Sequence, residues 1–330
     1  HEQSQTDWQE MYKVFNMGHR MEIYTDSETA KAIIDISKSF NVDAKVIGYC
    51  EDRLYEYGEN CSNDQCTHPS GHCSGTCEDC LYEVHFSTEI NKRRDYCCDK
   101  LICNYVVKYA QRYKNNASIA LKTIDMSLYP YLNVLSVGCG AAPDLMALEE
   151  RCDNKHIFYY GYDRNTRWKD IHNFIEEQTD GTKNIEAVFE RKDIFDVLDN
   201  NDISDCGFNV IFIQYLISHL FNTNQIWMID KLYKGLIHNV ISKKPKNSPF
   251  LIVINDIDSC NKGRPYFHEL LDYLEDFGFS GRAVAFSNYE TGDLGKIRWG
   301  VPKTRVGKIE YNYYKTPYSF EGAALIIELR

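Results

Sequence analysis

The chain has 330 residues, 43% of them hydrophobic and 26% charged, enough apolar material for one large domain or two ordinary ones with a real core. It has no apolar run of about eighteen residues, which excludes a membrane-spanning helix. The formal net charge of −11 weakens a role resting mainly on phosphate contacts, without excluding a local basic groove.

The first residues, HEQSQTDWQEMYKVF, have neither the basic start nor the apolar stretch of a secretory signal, which points to a cytoplasmic chain. Residues 1–45 read as helical with turns. Ser27 is placed to cap a helix that carries Ala30, Ile33, Ile34 and Ile36. Residues 50–90 are rich in Cys, Gly, Ser and acids and poor in periodicity, so a loop-rich module is expected there. Residues 96–122 return to helix, with Tyr105, Tyr109 and Tyr113 on one face.

The chain has 13 cysteines. In a chain without an export signal, clustered cysteines point to metal or free thiols rather than disulfides. Cys61, Cys66, Cys73, Cys77 and Cys80 have metal-ligand spacing, and Cys77-x2-Cys80 is the most knuckle-like pair. Zinc is the expected metal; an iron–sulfur cluster or unligated thiols are the alternatives.

From Tyr131 onward strands and helices alternate. Strands are expected at 133–138, 157–163, 185–193, 208–216 and 250–257, with helical stretches between them and after the fifth. Two late strands, 281–289 and 322–330, finish the chain. Near-continuous apolar strands separated by helices imply a mostly parallel sheet covered on both faces. The expected fold is therefore α/β, a doubly wound, mostly parallel seven-stranded sheet preceded by a helical, cysteine-rich region. The domains are expected at 1–120 and 121–330.

The sequence VLSVGCGAAPDLMAL (134–148) runs a buried strand into Gly138-Cys139-Gly140 and then a helix. Glycines there allow a tight turn and close approach of backbone to a ligand. Asp163 ends the second strand, where an acid can accept hydrogen bonds from ribose hydroxyls. Asp193 ends the third, where a carboxylate can reach an adenine amino group, with Ile194 placed to pack on the ring. Position 143 is Pro and Asp144 opens the helix, which suits a cationic ligand better than the pyrophosphate of a dinucleotide.

With these anchors in place, residues 115–330 resemble the class I, seven-stranded S-adenosylmethionine-dependent methyltransferase family, whose sheet ends with an antiparallel strand. The resemblance implies S-adenosylmethionine as cofactor. It implies that Gly138, Cys139 and Gly140 line the methionine moiety, Asp163 the ribose, and Asp193 and Ile194 the adenine. Ala142 stands where a third glycine is usual.

The fourth strand ends in Gln214-Tyr215, followed by His219. Gln214 or Tyr215 could orient a substrate or the cofactor, and His219 could take a proton near neutral pH. Asp256, at the end of the fifth strand, is a further candidate base or a helix cap. The basic, tyrosine-bearing segments 91–115 and 296–315 make RNA the favoured methyl acceptor. A protein, a small molecule, or a non-catalytic binding role are the alternatives.

Overall fold

The structure, a computed structural model, describes residues 25, 27–42, 44, 77–86, 96, 98–152, 154–181, 184–203, 206–245, 248–259, 262–287, 303–305, 310–313, 316–319 and 322–329. The chain divides into two compact units, His1–Tyr57 and Gly58–Arg330. Within the first, the described element is helix α1 (Ser27–Ser39), the helix expected after the Ser27 cap.

The second unit is organised by one sheet. Strands β1 (Tyr131–Val137), β2 (His156–Tyr162), β3 (Ile185–Glu190), β4 (Val210–Gln214) and β5 (Phe250–Ile257) are parallel neighbours in the order 3-2-1-4-5. β10 (Gly322–Leu329) pairs antiparallel with β5 on one side and with β6 (Gly281–Ser287) on the other. These seven strands are the expected seven, and β10 supplies the antiparallel strand. A three-residue strand, β7 (Lys303–Arg305), extends the β6 edge, and β8 (Glu310–Tyr313) and β9 (Thr316–Ser319) form a separate hairpin. The sequence reading missed these last three strands.

Burial explains the pattern. Val134, Tyr159, Val210 and Phe212 point to one face of the sheet, and Leu135, Val137, Ile211 and Ile213 to the other, all buried. The first face is covered by α4 (Gln111–Leu121), α5 (Pro143–Arg151) and α6 (Lys169–Thr179). The second is covered by α7 (Ile194–Asp199), α8 (Leu216–Asn222), α9 (Trp227–Asn239) and α10 (Phe267–Asp276). Two full apolar faces are why the strands read as unbroken Val/Ile/Leu runs.

Ahead of α4 come α2 (Cys77–Phe86), α3 (Asp99–Tyr105) and a π-helical turn, Val106–Ala110, that joins α3 to α4. One expectation changes here. The module expected to be loop-rich contains a helix from Cys77 onward, because Cys80, Leu81 and Val84 make a buried stripe that packs with Leu101. α4 ends beside the boundary expected after residue 120, and its Ala117, Ala120 and Leu121 lie in one buried cluster with Leu132, Val134 and Leu148. That helix belongs to the core of the sheet domain.

The strand order places the switch point between β1 and β4. The connections leaving those strands run to opposite faces, which opens a crevice at the carboxyl edge of the sheet, where such folds bind ligands.

Candidate active site

The turn after β1 is a run of left-handed backbone. Gly138 has φ 66°, Gly140 φ 52° and Ala142 φ 52°. Glycine takes this conformation freely, while Ala142 holds it at a cost of about 1–2 kcal/mol. Four hydrogen bonds fix the turn. Gly138 N–H and Cys139 N–H donate to Tyr162 O at 2.8 and 3.1 Å. Gly140 N–H donates to Asp163 Oδ2 at 2.9 Å, and His172 Nε2 lies 2.8 Å from Gly140 O. Burial holds His172 well below the ordinary imidazole value, at about 4, so at neutral pH it is uncharged. As the donor to Gly140 O it carries its proton on Nε2. Trp168 covers the turn, with its ring 3.7 Å from the position a Cβ on Gly140 would occupy.

Around this turn lies a cavity at the switch point, and most residues predicted for the cofactor line it: Gly138, Gly140, Asp163, Asp193, Ile194 and Gln214. Asp163 has a double role, because Oδ2 braces Gly140 while Oδ1 accepts from Asn165 N–H at 2.9 Å. Asp193 caps α7, its Oδ1 accepting from Phe195 N–H at 2.9 Å, and its other oxygen lies 4.0 Å from Arg164 Nη1. Gln214, with its amide turned to satisfy both neighbours, donates to Tyr113 O at 3.2 Å and accepts from Asp144 N–H at 3.1 Å.

Cys139 differs from its expected place. It is buried, its Sγ is 3.9 Å from His172 Nε2, and the residue does not line the cavity. The thiol packs between Gly161 of β2 and His172 of α6. Asp144 is likewise fully buried and outside the cavity wall, and Tyr159 OH donates to it at 3.0 Å. Burial raises its carboxyl to about 6. It sits beneath the site rather than facing a ligand.

Of the three catalytic candidates, Tyr215 and His219 line the cavity and Asp256 does not. Tyr215 is the residue before α8 and has φ 56°, the left-handed region, strained for a bulky side chain. Its N–H donates to Asn255 O at 2.7 Å, its ring stacks on Tyr113 with centroids 3.8 Å apart, and its hydroxyl accepts from Asn116 Nδ2 at 2.5 Å. The ring forms wall, and the oxygen is engaged with α4. Asp256 is fully buried; Oδ2 accepts from Ser218 N–H at 3.1 Å and Oδ1 from Ile257 N–H at 2.7 Å. It satisfies an amide in the first turn of α8, the helix after β4, whereas the sequence reading offered it as a base or as a cap of the helix that follows β5. Burial raises its carboxyl to about 6.

The sequence reading missed the aromatic wall. Tyr96, Tyr105, Tyr113 and Trp168 all line the cavity. The i, i+4, i+8 tyrosine spacing was the available signal, and the structure turns Tyr105 and Tyr113 toward the cavity rather than presenting them as a surface platform. Burial pushes both hydroxyls far above the ordinary phenol value, so both rings stay neutral.

Of the predicted metal ligands, Cys61, Cys66 and Cys73 lie outside the described residues. Cys77 begins α2 and Cys80 is buried within it, so this pair sits at a helix N-terminus rather than in a turn. Among the described residues there is no group of three or more His, Cys, Asp or Glu side chains arranged to hold a metal. Most of segment 296–315 also lies outside the described residues, and no described helix is long and apolar enough to cross a membrane.

No family model and no curated protein matches the sequence. Solved structures do. The chain is similar to the plantazolicin methyltransferase BpumL in complex with SAH, at 14% identity over 76% of this chain and 95% of that one, with TM-score 0.41. It is similar to a SAM-dependent methyltransferase from Aquifex aeolicus, at 14% identity, 70% and 98% coverage and TM-score 0.38. It is also similar to precorrin-6y C5,15-methyltransferase from Geobacter metallireducens GS-15, at 16% identity, 65% and 87% coverage and TM-score 0.36. With the glycine turn after β1, acids after β2 and β3, and the antiparallel strand β10, the chain has the fold of the class I S-adenosylmethionine-dependent methyltransferases.

Proposed function

We propose that the chain transfers a methyl group from S-adenosylmethionine bound in the cavity between β1 and β4. The observation that carries this reading is the convergence of Gly138, Gly140, Asp163, Asp193, Ile194 and Gln214, read from separate stretches of sequence, on one cavity wall. The donors fit the group: two left-handed glycines let backbone approach it, Asp163 accepts at the ribose, and Asp193 with Ile194 forms the adenine end. When bound, the cofactor supplies a sulfonium methyl, which an acceptor lone pair takes as the carbon–sulfur bond breaks and its electrons return to sulfur.

The chain's own part is to position and to manage a proton. Tyr215 and Gln214 present the β4 tip to the cavity. Orientation alone can account for much of such a displacement. His219, one turn into α8 and on the cavity wall, is the side chain placed to receive the proton that the acceptor loses. Asp256, by capping α8, holds His219 and Ser218 in place.

For the acceptor, the basic segments 91–115 and 296–315 favour RNA. The tyrosines at 105 and 113 no longer support that choice, because they face the cavity. For the cysteine module we propose zinc held by ligands from Cys61, Cys66, Cys73, Cys77 and Cys80. Elemental analysis at about one zinc per chain is the check.

The cofactor is tested by isothermal titration of the wild-type chain. S-adenosylmethionine or its thioether product should bind and nicotinamide dinucleotides should not. Radiolabelled methyl transfer into RNA, DNA, protein and metabolite pools then identifies the acceptor. Label in a small metabolite, or transfer into RNA that ignores salt, overturns the RNA assignment.

A further inference from the structure

The turn after β1 is gripped from behind by a side chain that takes no part in the chemistry proposed above. His172 stands one helical turn beyond Trp168, so both project from the start of α6 toward the same loop. Trp168 lines the cavity over Gly140, while His172 is fully buried with Nε2 2.8 Å from Gly140 O. The imidazole is clamped. It stacks on Phe189 with centroids 4.2 Å apart and planes 10° from parallel, and Cys139 Sγ lies 3.9 Å from Nε2. A Cβ on Gly161 would meet Phe189 at 2.8 Å and Cys139 Sγ at 2.9 Å, so glycine there leaves room for the clamp. Glu176 Oε1 accepts from Phe189 N–H at 2.8 Å, which ties α6 to β3 and fixes where His172 stands.

Burial leaves the imidazole with a single proton at neutral pH. A carbonyl can only accept, so that proton is on Nε2, and the buried Nδ1 has a lone pair and no hydrogen-bond partner among the described residues. The carbonyl so held belongs to the peptide joining Gly140 to Ala141. That peptide is trans and planar, so its N–H points the opposite way from its C=O, away from His172. Ala141 is buried, and its N–H donates to no acceptor among the described residues. A buried backbone N–H that the protein leaves unpaired is rare and costs about as much as a lost hydrogen bond. Such a donor beside a cavity calls for an acceptor on the ligand.

Given the cofactor reading above, we propose that His172 is a positioning residue: by donating to Gly140 O from behind, it turns Ala141 N–H toward the carboxylate of the cofactor's amino-acid tail. Asp163 acts on the neighbouring peptide, through Gly140 N–H, and serves the ribose. The two ends of the ligand therefore depend on different groups. His172 governs the tail and Asp163 the nucleoside, although both work through Gly140.

The test is isothermal titration of the full chain with three probes: S-adenosylmethionine, its thioether product, and methylthioadenosine, which keeps adenine, ribose and sulfur but lacks the amino-acid tail. The wild type should bind the product about tenfold more tightly than methylthioadenosine. His172→Phe keeps an aromatic ring against Phe189 but has no donor. It should lower product affinity about tenfold and leave methylthioadenosine within about twofold. His172→Gln, whose amide N–H reaches the place of Nε2, should restore the product. His172→Asn, whose amide is too short to reach, should behave as the phenylalanine variant and gives the same reading if that one does not fold. A phenylalanine or asparagine variant that weakens both nucleosides alike shows a merely structural residue and overturns the proposal. So does one that weakens neither, or a glutamine variant that fails to restore the product. Equal affinity of the wild type for product and methylthioadenosine also overturns it, while leaving the cofactor assignment intact. Binding of none of the three probes overturns the cofactor assignment itself.

Discussion

On the sheet face covered by α7 to α10, Leu135, Val137, Ile211, Ile213, Ile252 and Ile254 meet Ile229, Leu232, Leu236, Phe267 and Leu271 in one apolar cluster. The face under α4, α5 and α6 begins the same way, with Val134, Phe212 and Val253, and then changes. Toward the carboxyl ends of the strands it becomes Ser136, Gln214 and Asn255, met by Asn116, Asp144 and His172 from the helices. One face holds shape by volume. The other holds a turn by directed hydrogen bonds, at positions where an apolar side chain would pack as well but could not aim Gly140 or Asp163. The comparison teaches that stability and ligand binding are separable by face.

The strongest way to break that separation is at Asp163. Asp163→Ala removes the brace on Gly140 and the expected ribose acceptor, and charge-assisted hydrogen bonds contribute about 1.5–3 kcal/mol each. S-adenosylmethionine affinity should fall by roughly 3–6 kcal/mol, read by titration calorimetry. Unchanged affinity would remove Asp163 from the site.

On the apolar face, Leu232→Ala should cost about 2–5 kcal/mol in urea unfolding. Cofactor affinity of the folded fraction should stay within about twofold. A large affinity loss with little unfolding would show the two faces to be coupled.

Acid titration separates the faces more finely. His172 sits at about 4 in the fold against an ordinary 6.5, so as pH falls the unfolded chain takes up its proton first. Its contribution is complete above about pH 6.5 and is lost down to about pH 4. Asp144 and Asp256, raised from 3.8 to about 6, act in the opposite sense; their contribution is complete below about pH 4 and is lost as pH rises to about 6. His172→Gln should therefore reduce the acid-side loss between pH 6.5 and 4 by roughly 2–3 kcal/mol, measured as urea stability at each pH. Parallel curves for wild type and variant would contradict the buried neutral imidazole.

The smallest effect belongs to the surface of the apolar face. Lys231 Nζ is 2.5 Å from Asp199 Oδ2, but both side chains are substantially solvent-exposed. Lys231→Met should change stability by less than about 1 kcal/mol. A larger loss in thermal unfolding would show that face to depend on charge as well as volume.

The same contrast explains what was legible in sequence. Two-sided burial writes β1, β2, β4, β5 and β10 as unbroken apolar runs, and the glycine turn and strand-end acids announce the cavity. The hydrogen-bonding layer is not written that way. Asn116, which touches Tyr215, and His172, which touches Gly140, are 99 and 32 residues away in sequence from their partners. Asp256 showed an acid at a strand end, but not that Ser218 N–H would occupy it. The short helices α7 and α8 went unread, since six or seven residues show less than two turns of periodicity. Trp168 is a lone aromatic ahead of α6, and nothing local marks it as the cover of the turn.

The π-helical turn Val106–Ala110 has a consequence for how this chain tolerates length change. A π-turn carries one residue more than the α-helix it interrupts. Deleting one residue there would restore a regular helix. It would also rotate everything upstream by about 100° about the helix axis, swinging Tyr96 and Tyr105 off the cavity while Tyr113 stays. The spacing between Tyr105 and Tyr113 therefore matters to the cavity wall as a length and not only as a pair of residues.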